Sequence, residues 1–508
     1  MPEFDYIVVG AGTAGCVLAA RLSADDRVRV LLLEAGRGDR TRAMTVPNAW
    51  PENLGTAADW GQATTPQAGA GAISYPRGRA VGGGSAINAM GHVRGHPAVY
   101  DGWAAGGAAG WGFTGLLPYF RRTERTAGRD PELRGTDGPV RVGPATAGRH
   151  PVAQAFARAL AATGCPVTDD LSGRHPEGLA WADLAIADGE RVSSAGAYLR
   201  PVLGRPNLTM QTGCLVTGLD VRGDRCAGVS YVTDGVVSRA AATTEVVLAA
   251  GAVGSPQLLL LSGIGPAGAL KAVGIETVAD VAGVGQNLQD HPVVMVTYRA
   301  PAPLPASRYN HGEVYAAVRT ELAGDHPDVH LFPILLPLAA TGFGPPGAGC
   351  NLVASAVAPS SRGSVRLASP APDAAPLIDP GFLTDPRDVD RLETGLRMIR
   401  AAAATGEFAP VKLTELWPGP DAATSEALRG YIRHAVGSYY HPAGTCRMGT
   451  GADAVVDPEL KVRGVAGLRV ADASIMPTIT NAQPNATVLA IAERAADLIL
   501  GERLVSAG

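Results

Sequence analysis

The chain has 508 residues, 46 % hydrophobic and 18 % charged, so it can bury a large core, and global disorder is excluded. A formal net charge of −4 without any block of basic residues offers no surface to a polyanion, so no nucleic-acid partner is expected. The six cysteines are scattered without metal-ligand spacing, which points to neither a metal centre nor a disulfide framework.

The first segment, from Phe4, lacks the basic start and long apolar stretch of a secretory signal. The most apolar later stretches, 246–253 and 331–340, fall short of the ~20 residues of a membrane span, and a cytoplasmic protein is expected. Residues 6–9 are β-rich, 16–23 carry helical periodicity and 28–33 are apolar, which predicts strand, helix, strand in one βαβ unit of a parallel sheet. Between the first strand and the helix stand Gly10, Gly12 and Gly15, spaced GxGxxG. The first allows a tight turn, the second lets backbone N–H groups approach a pyrophosphate, and the third lets helix and strand pack closely. Glu34 ends the next strand, where a carboxylate accepts hydrogen bonds from an adenosine ribose. These features predict dinucleotide binding and fit FAD or NAD equally.

Further along, the Gly- and Pro-rich residues 66–84 and 341–349 read as loops or lids. A second buried strand is predicted at 246–249, before Gly251 and a helical stretch 256–261. Residues 310–433 differ in texture, with strand-like 352–358 and 364–367 followed by helical 388–403, and predict an antiparallel sheet backed by helices. Residues 308–315 and 331–349 read as irregular loops over a pocket, the longer one mostly apolar. A third buried strand, 468–471, runs into Asp472, and the helix 488–500 closes the pattern. Three strands that each end on a small or acidic residue suggest one discontinuous domain whose strand ends converge on a ligand.

Several ordered motifs resemble those of the glucose-methanol-choline (GMC) oxidoreductase family across essentially the whole chain. They are Gly78 to Asn88 (GRAVGGGSAIN) with Val93-Arg94-Gly95, Gly251 to Leu258 (GAVGSPQL), Val284 to Pro292 (VGQNLQDHP), Ser361 to Val365, Tyr440 to Thr445 (YHPAGT) and Val470 to Pro477 (VADASIMP). The resemblance implies an α/β (α+β) fold, a Rossmann-like FAD-binding domain with a second, antiparallel-sheet substrate domain. On that pattern the first domain takes residues 1–155, 195–300 and 435–508, and the second 156–194 and 301–434. It implies FAD as the cofactor, bound through Gly10, Gly12, Thr13, Ala14, Gly15, Glu34 and Ala35 of the opening unit. The loop residues Gly82, Gly83, Ser85, Asn88 and Ala89, with Val216, Asp472, Ala473, Asn485 and Thr487, complete the implied set. Some relatives attach FAD through a histidine where this chain has Ile87, so noncovalent FAD is expected.

Of ten histidines, His441 aligns with the family's catalytic base, which takes the proton of an alcohol while hydride passes to flavin. The second catalytic position, usually Asn or His in the family, falls on Gln483, which has the same amide groups on a side chain one methylene longer. Gln483 is the expected oxyanion donor, with Asn481 or Asn485 as possible substitutes in that role. Tyr439 and Tyr440 are expected to wall the pocket, Cys446 to be core, and Asp290-His291 to be structural, with no metal. The expected activity is oxidation of a small-molecule alcohol, neutral rather than cationic, to a carbonyl, with O2 or a quinone or carrier as electron acceptor. The alternative is a lyase that uses the same histidine without net redox change.

Overall fold

Two seven-stranded sheets organise the computed structural model, which describes residues 2–501 apart from 39, 68, 340 and 346. In the first sheet the strands Leu208–Thr212, Val30–Glu34, Glu3–Val9 and Val236–Leu248 lie side by side and parallel, and Leu468–Val470 pairs parallel with the end of the last. Val30–Glu34 is buried along its whole length, as a parallel strand covered on both faces must be. Val236–Leu248 also runs antiparallel to Arg225–Thr233, which pairs with Cys214–Arg222.

Helix Thr13–Leu22 follows the first strand, and Pro484–Leu500 packs along it, joined by a hydrogen-bonded ion pair between Arg21 and Glu493 at 2.7 Å. The C-terminal helix begins four residues before its predicted start, because Pro484 has its φ preset for a first turn and has no N–H to satisfy. Four strand ends, at Gly10, Glu34, Ala249 and Asp472, therefore meet along one edge of this sheet.

The second sheet runs in the order Thr414–Trp417, Pro292–Arg299, Gly349–Ala356, Val329–Ile334, Val314–Val318, Gly178–Trp181, antiparallel throughout. Successive side chains point to opposite faces. Val294, Val296, Leu331, Leu352 and Ala354 bury against residues of helices Pro151–Ala162, Pro386–Ala403 and Ser425–Ala435. Val293, Tyr315, Phe332 and Val353 face the other way, where Val93, Ala482 and Tyr439 meet them.

Three expectations need correction here. Residues 314–318 and 329–334 are strands, not loops. Pro333 is tolerated because the ladder to Val314–Val318 is recorded only up to Leu331, so the missing N–H falls beyond that pairing. Of the 331–349 stretch, residues 340 and 346 lie outside the described residues. Gly363–Arg366 belongs to a separate three-stranded sheet with Gln286–Leu288 and Leu377–Asp379. Strand Pro292–Arg299, within 195–300 by number, is hydrogen-bonded into the second sheet, so the chain crosses between the sheets before residue 292.

Candidate active site

A cavity of about 780 Å³ runs between the converging strand ends of the first sheet and the face of the second that carries Val293, Tyr315, Phe332 and Val353. At one end it is built from glycine backbone. Gly10, with φ +97°, leaves no room for a side chain, since a Cβ would stand 2.7 Å from the Ala249 carbonyl oxygen. Gly83 is as tight, with a Cβ position 2.7 Å from Gly12 Cα. Gly84 and Gly251 are the reverse case: both line the cavity, and no atom lies within 4 Å of where a Cβ would be. A side chain there would fill the cavity itself. Gly12 caps helix Thr13–Leu22 without a side-chain hydrogen bond, so the N–H groups of its first turn stay available to an anion.

Glu34 lies on the cavity wall next to Ala35, its carboxylate accepting from the backbone N–H of Ala11 at 2.8 Å and Gly36 at 2.7 Å. Burial nevertheless pushes its carboxyl up to about 7. Thr13 Oγ1 donates to Asn485 Oδ1 at 2.8 Å, tying the two helices whose first turns border the cavity. Asp472 accepts from Ser255 Oγ at 2.6 Å and Gly251 N at 2.9 Å, which fixes the strand end. Ala14, Asn88, Ala89, Val216 and Ala473 also line the cavity. An acidic strand end, a glycine cradle and a free helix N-terminus are the donor set that an adenine dinucleotide needs, so FAD fits the residues present.

Four residues of the implied set do not line the cavity. Gly15 carries helix against strand, its Cβ position 1.8 Å from the Gly10 carbonyl oxygen. Gly82, at φ +99°, and Ser85 shape the loop from within, Ser85 Oγ donating to the Gly82 carbonyl at 2.6 Å. Thr487 Oγ1 hydrogen-bonds the Tyr100 hydroxyl at 2.8 Å inside the core. Asn481 is likewise committed elsewhere, accepting from His96 N and donating to the Pro327 carbonyl.

At the other end the cavity is bounded by His441, Gln483, Tyr439 and Tyr440 together with Val293, Met295, Tyr315, Phe332, Ile334 and Val353 of the second sheet. His441 Nδ1 stands 3.0 Å from His291 Nδ1. Asp290 holds the turn that carries His441: Oδ1 accepts from His441 N at 2.9 Å and from His291 N at 2.7 Å, and Oδ2 from Ser438 Oγ at 2.5 Å. Tyr440, in the left-handed region at φ +65°, is held there by a 2.7 Å bond from its N to Ser438 Oγ. Asp290 and His291 thus grip the backbone and the ring of His441, a role that sequence reading missed. What brings them there is antiparallel pairing of Pro292 with Ser438 and Val293 with Gly437, for which no local pattern is a signal.

Burial pulls His441 down to about 3, with His330 adding to the effect, and takes His330 to about 4 and His291 far down as well. All three imidazoles are uncharged at neutral pH. Burial pushes Asp290 up to about 6, against the hydrogen bonds it accepts. Gln483 Nε2 donates to the Tyr439 hydroxyl at 3.0 Å, while its buried Oε1 has no partner.

Two GMC oxidoreductase family models match, the N-terminal one over residues 4–293 and the C-terminal one over 359–492. The chain belongs to the GMC oxidoreductases. It is therefore an FAD-dependent enzyme that acts on CH–OH donors. Human mitochondrial choline dehydrogenase is 38 % identical over 538 aligned residues, covering 98 % of this chain and 90 % of that protein. The oxygen-dependent choline dehydrogenase of Brucella ovis is 37 % identical, covering 98 % and 96 %. Among solved structures, pyridoxine 4-oxidase from Mesorbium loti superposes with a TM-score of 0.94 at 36 % identity, covering 99 % of this chain and all of that one. The GMC fold places His441 and the glycine cradle on one cavity. Among the described residues no group of three or more His, Cys, Asp or Glu is arranged to hold a metal ion, and no helix is long and apolar enough to cross a membrane.

Proposed function

We propose that this GMC oxidoreductase oxidises a neutral alcohol with an apolar or aromatic body to the carbonyl, with His441 as base and noncovalently held FAD. The observation that carries the reading is that His441 and the glycine cradle line the same cavity. Bound in that cradle, the flavin supplies the hydride acceptor. The residues named above as lining the cavity would hold it, from Glu34 and the first turn of helix Thr13–Leu22 to Asn88, Asp472 and Asn485. Ile87, on the cavity wall, offers only an alkyl group, which supports attachment without a covalent bond.

His441 is neutral and its Nδ1 is engaged by His291, so Nε2 is the nitrogen that meets the substrate hydroxyl and takes its proton. Gln483 faces the same space. Its amide, held at the Tyr439 hydroxyl, is the group that stabilises the developing alkoxide in this reading. The longer side chain lies against Gly91, whose Cβ position is 3.4 Å from Gln483 Cγ and Cδ.

The wall that the second sheet gives the cavity favours an uncharged substrate. Its residues from the second sheet are Val293, Met295, Tyr315, Phe332, Ile334 and Val353, with no carboxylate among them. Phe332 and Tyr439 stack on each other at 4.8 Å and 13°, so those faces are turned to one another rather than to a quaternary ammonium. The dehydrogenases and oxidases among the relatives disfavour the lyase reading. None of the six cysteines is joined to another in a disulfide, which suits a reducing cytoplasm.

The test is anaerobic titration of the FAD-loaded protein with benzyl alcohol, n-hexanol and choline, followed by the visible flavin band. Bleaching by the neutral alcohols at concentrations below those of choline is expected. Preferential bleaching by choline would overturn the neutral-substrate reading. His441→Ala should keep bound FAD and lose on the order of 10²- to 10⁴-fold in reduction rate. Readmitting oxygen, or adding a quinone, separates dioxygen from a quinone or carrier as the acceptor.

A further inference from the structure

We infer that His291 is a positioning residue that selects the tautomer of His441 and so makes its cavity-facing nitrogen a base. A neutral imidazole has one N–H and one lone pair, and only the lone pair can accept a substrate proton. Which nitrogen of His441 carries the hydrogen therefore decides whether it can act at all.

The two Nδ1 atoms stand 3.0 Å apart, a contact that needs one hydrogen between two ring nitrogens. Either ring could supply it. His291 is fully buried, and beside the His330 and Tyr439 rings the backbone carbonyls of Thr480 and Val357, which can only accept, lie near its ring. Its Nε2 makes no hydrogen bond. If His291 donated through Nδ1, its Nε2 would carry a lone pair facing carbonyl lone pairs, a buried acceptor with nothing to accept. With the hydrogen on Nε2, the neighbouring carbonyls attract it rather than repel a lone pair, and Nδ1 becomes the acceptor of the inter-ring bond.

His441 must then donate through Nδ1, which leaves its lone pair on Nε2. When a hydroxyl O–H bond breaks, its proton goes to that nitrogen, and the resulting imidazolium keeps its Nδ1–H bond to a neutral acceptor. The opposite arrangement would put a hydrogen on Nε2 and close the base to substrate. The geometry is held from several sides: Asp290 bonds both backbone N–H groups, and Pro292 pairs with Ser438. The two rings meet edge to face, their centroids 5.2 Å apart.

The functional consequence rests on His441 being the base, and the tests separate the two statements. In the FAD-loaded enzyme, His291→Leu removes the acceptor and His291→Asn offers an amide oxygen near the position of Nδ1. With benzyl alcohol, stopped-flow flavin reduction should slow on the order of 10²-fold in His291→Leu, while the half-saturating concentration changes by less than about twofold. His291→Asn should recover most of the rate. Equal slowing in both variants, or an unimpaired His291→Leu, would overturn the inference. Independently of turnover, neutron diffraction from crystals of the holoenzyme should place hydrogen on His441 Nδ1 and His291 Nε2. Hydrogen on His441 Nε2 would also overturn it. Undiminished flavin reduction by His441→Ala would instead remove the base assignment and leave the hydrogen positions as they are.

Discussion

Gln483 donates to the hydroxyl of Tyr439 across 3.0 Å, and Tyr439 in turn stacks at 4.8 Å on Phe332 of the second sheet. The Gln483 amide is thus oriented by an aromatic pair that joins the two halves of the cavity. Gln483→Asn, one methylene shorter, cannot span to the hydroxyl without moving the helix start that it caps. Tyr439→Phe keeps the stacked ring and removes only the hydroxyl. Each variant should lower kcat several-fold, and the double variant should be no worse than the poorer single one, because both break one interaction. Fully additive losses in kcat would show that Tyr439 does not act through Gln483.

The acid limb of activity should belong to Asp290. His441, pulled down to about 3, stays neutral well below the pH at which Asp290 takes up a proton. Asp290, pushed up to about 6, is a carboxylate above that pH and becomes protonated as pH falls through it. The groups facing it are Ser438, Tyr75 and the N–H groups of His291 and His441, with Tyr440 nearby. A protonated carboxyl cannot accept from all of them, so the His441 turn loosens. The pH profile of kcat/KM should fall below about 6, and Asp290→Asn should be uniformly slow with that limb removed. An acid limb retained in Asp290→Asn would assign it to another group.

Much of this was legible because it is local. Gly10, Gly12, Gly15 and Glu34 sit within one βαβ unit, where turn, helix start and strand end follow each other in sequence. His441 was legible through its motif. The contact between His291 and His441 was not, since it depends on strand Pro292–Arg299 pairing with Gly437–Ser438 from far along the chain. Strands Val314–Val318 and Val329–Ile334 were missed for a different reason: one is buried along its length and the other nearly so, without polar alternation, and Pro333 looks like a breaker until the ladder is seen to end before it. Thr487, placed with the cofactor by its motif, turns one helical face away from the cavity and meets Tyr100.

Gly84 gives a prediction whose sign separates cofactor binding from folding. It opens a short helix, its φ is not positive, and nothing lies within 4 Å of a Cβ position. In the protein alone, Gly84→Ala should therefore be neutral or stabilising by up to about 1 kcal/mol, since alanine loses less backbone entropy on folding. With FAD in the cavity the methyl group competes for the cradle. Apoprotein thermal unfolding should be unchanged or higher while FAD affinity drops at least several-fold. Unaltered affinity would mean that the cofactor does not lie over Gly84.

Glu34 should make FAD affinity depend on pH around neutrality. Burial raises its carboxyl to about 7, so the charged form dominates only above that pH. Both oxygens already accept backbone N–H groups, and ribose hydroxyls add donors that favour the charged form further. FAD binding should therefore release a proton near pH 7, and affinity should weaken as pH falls through 7, by no more than about tenfold per pH unit for one group. Glu34→Gln, neutral at every pH, should bind FAD more weakly than wild type above 7 and with no slope. The measurement is FAD fluorescence titration of the apoprotein between about pH 5.5 and 8.5, a window chosen to bracket the raised carboxyl. A wild-type profile as flat as that of Glu34→Gln would show that the ionised carboxylate takes no part in holding the ribose.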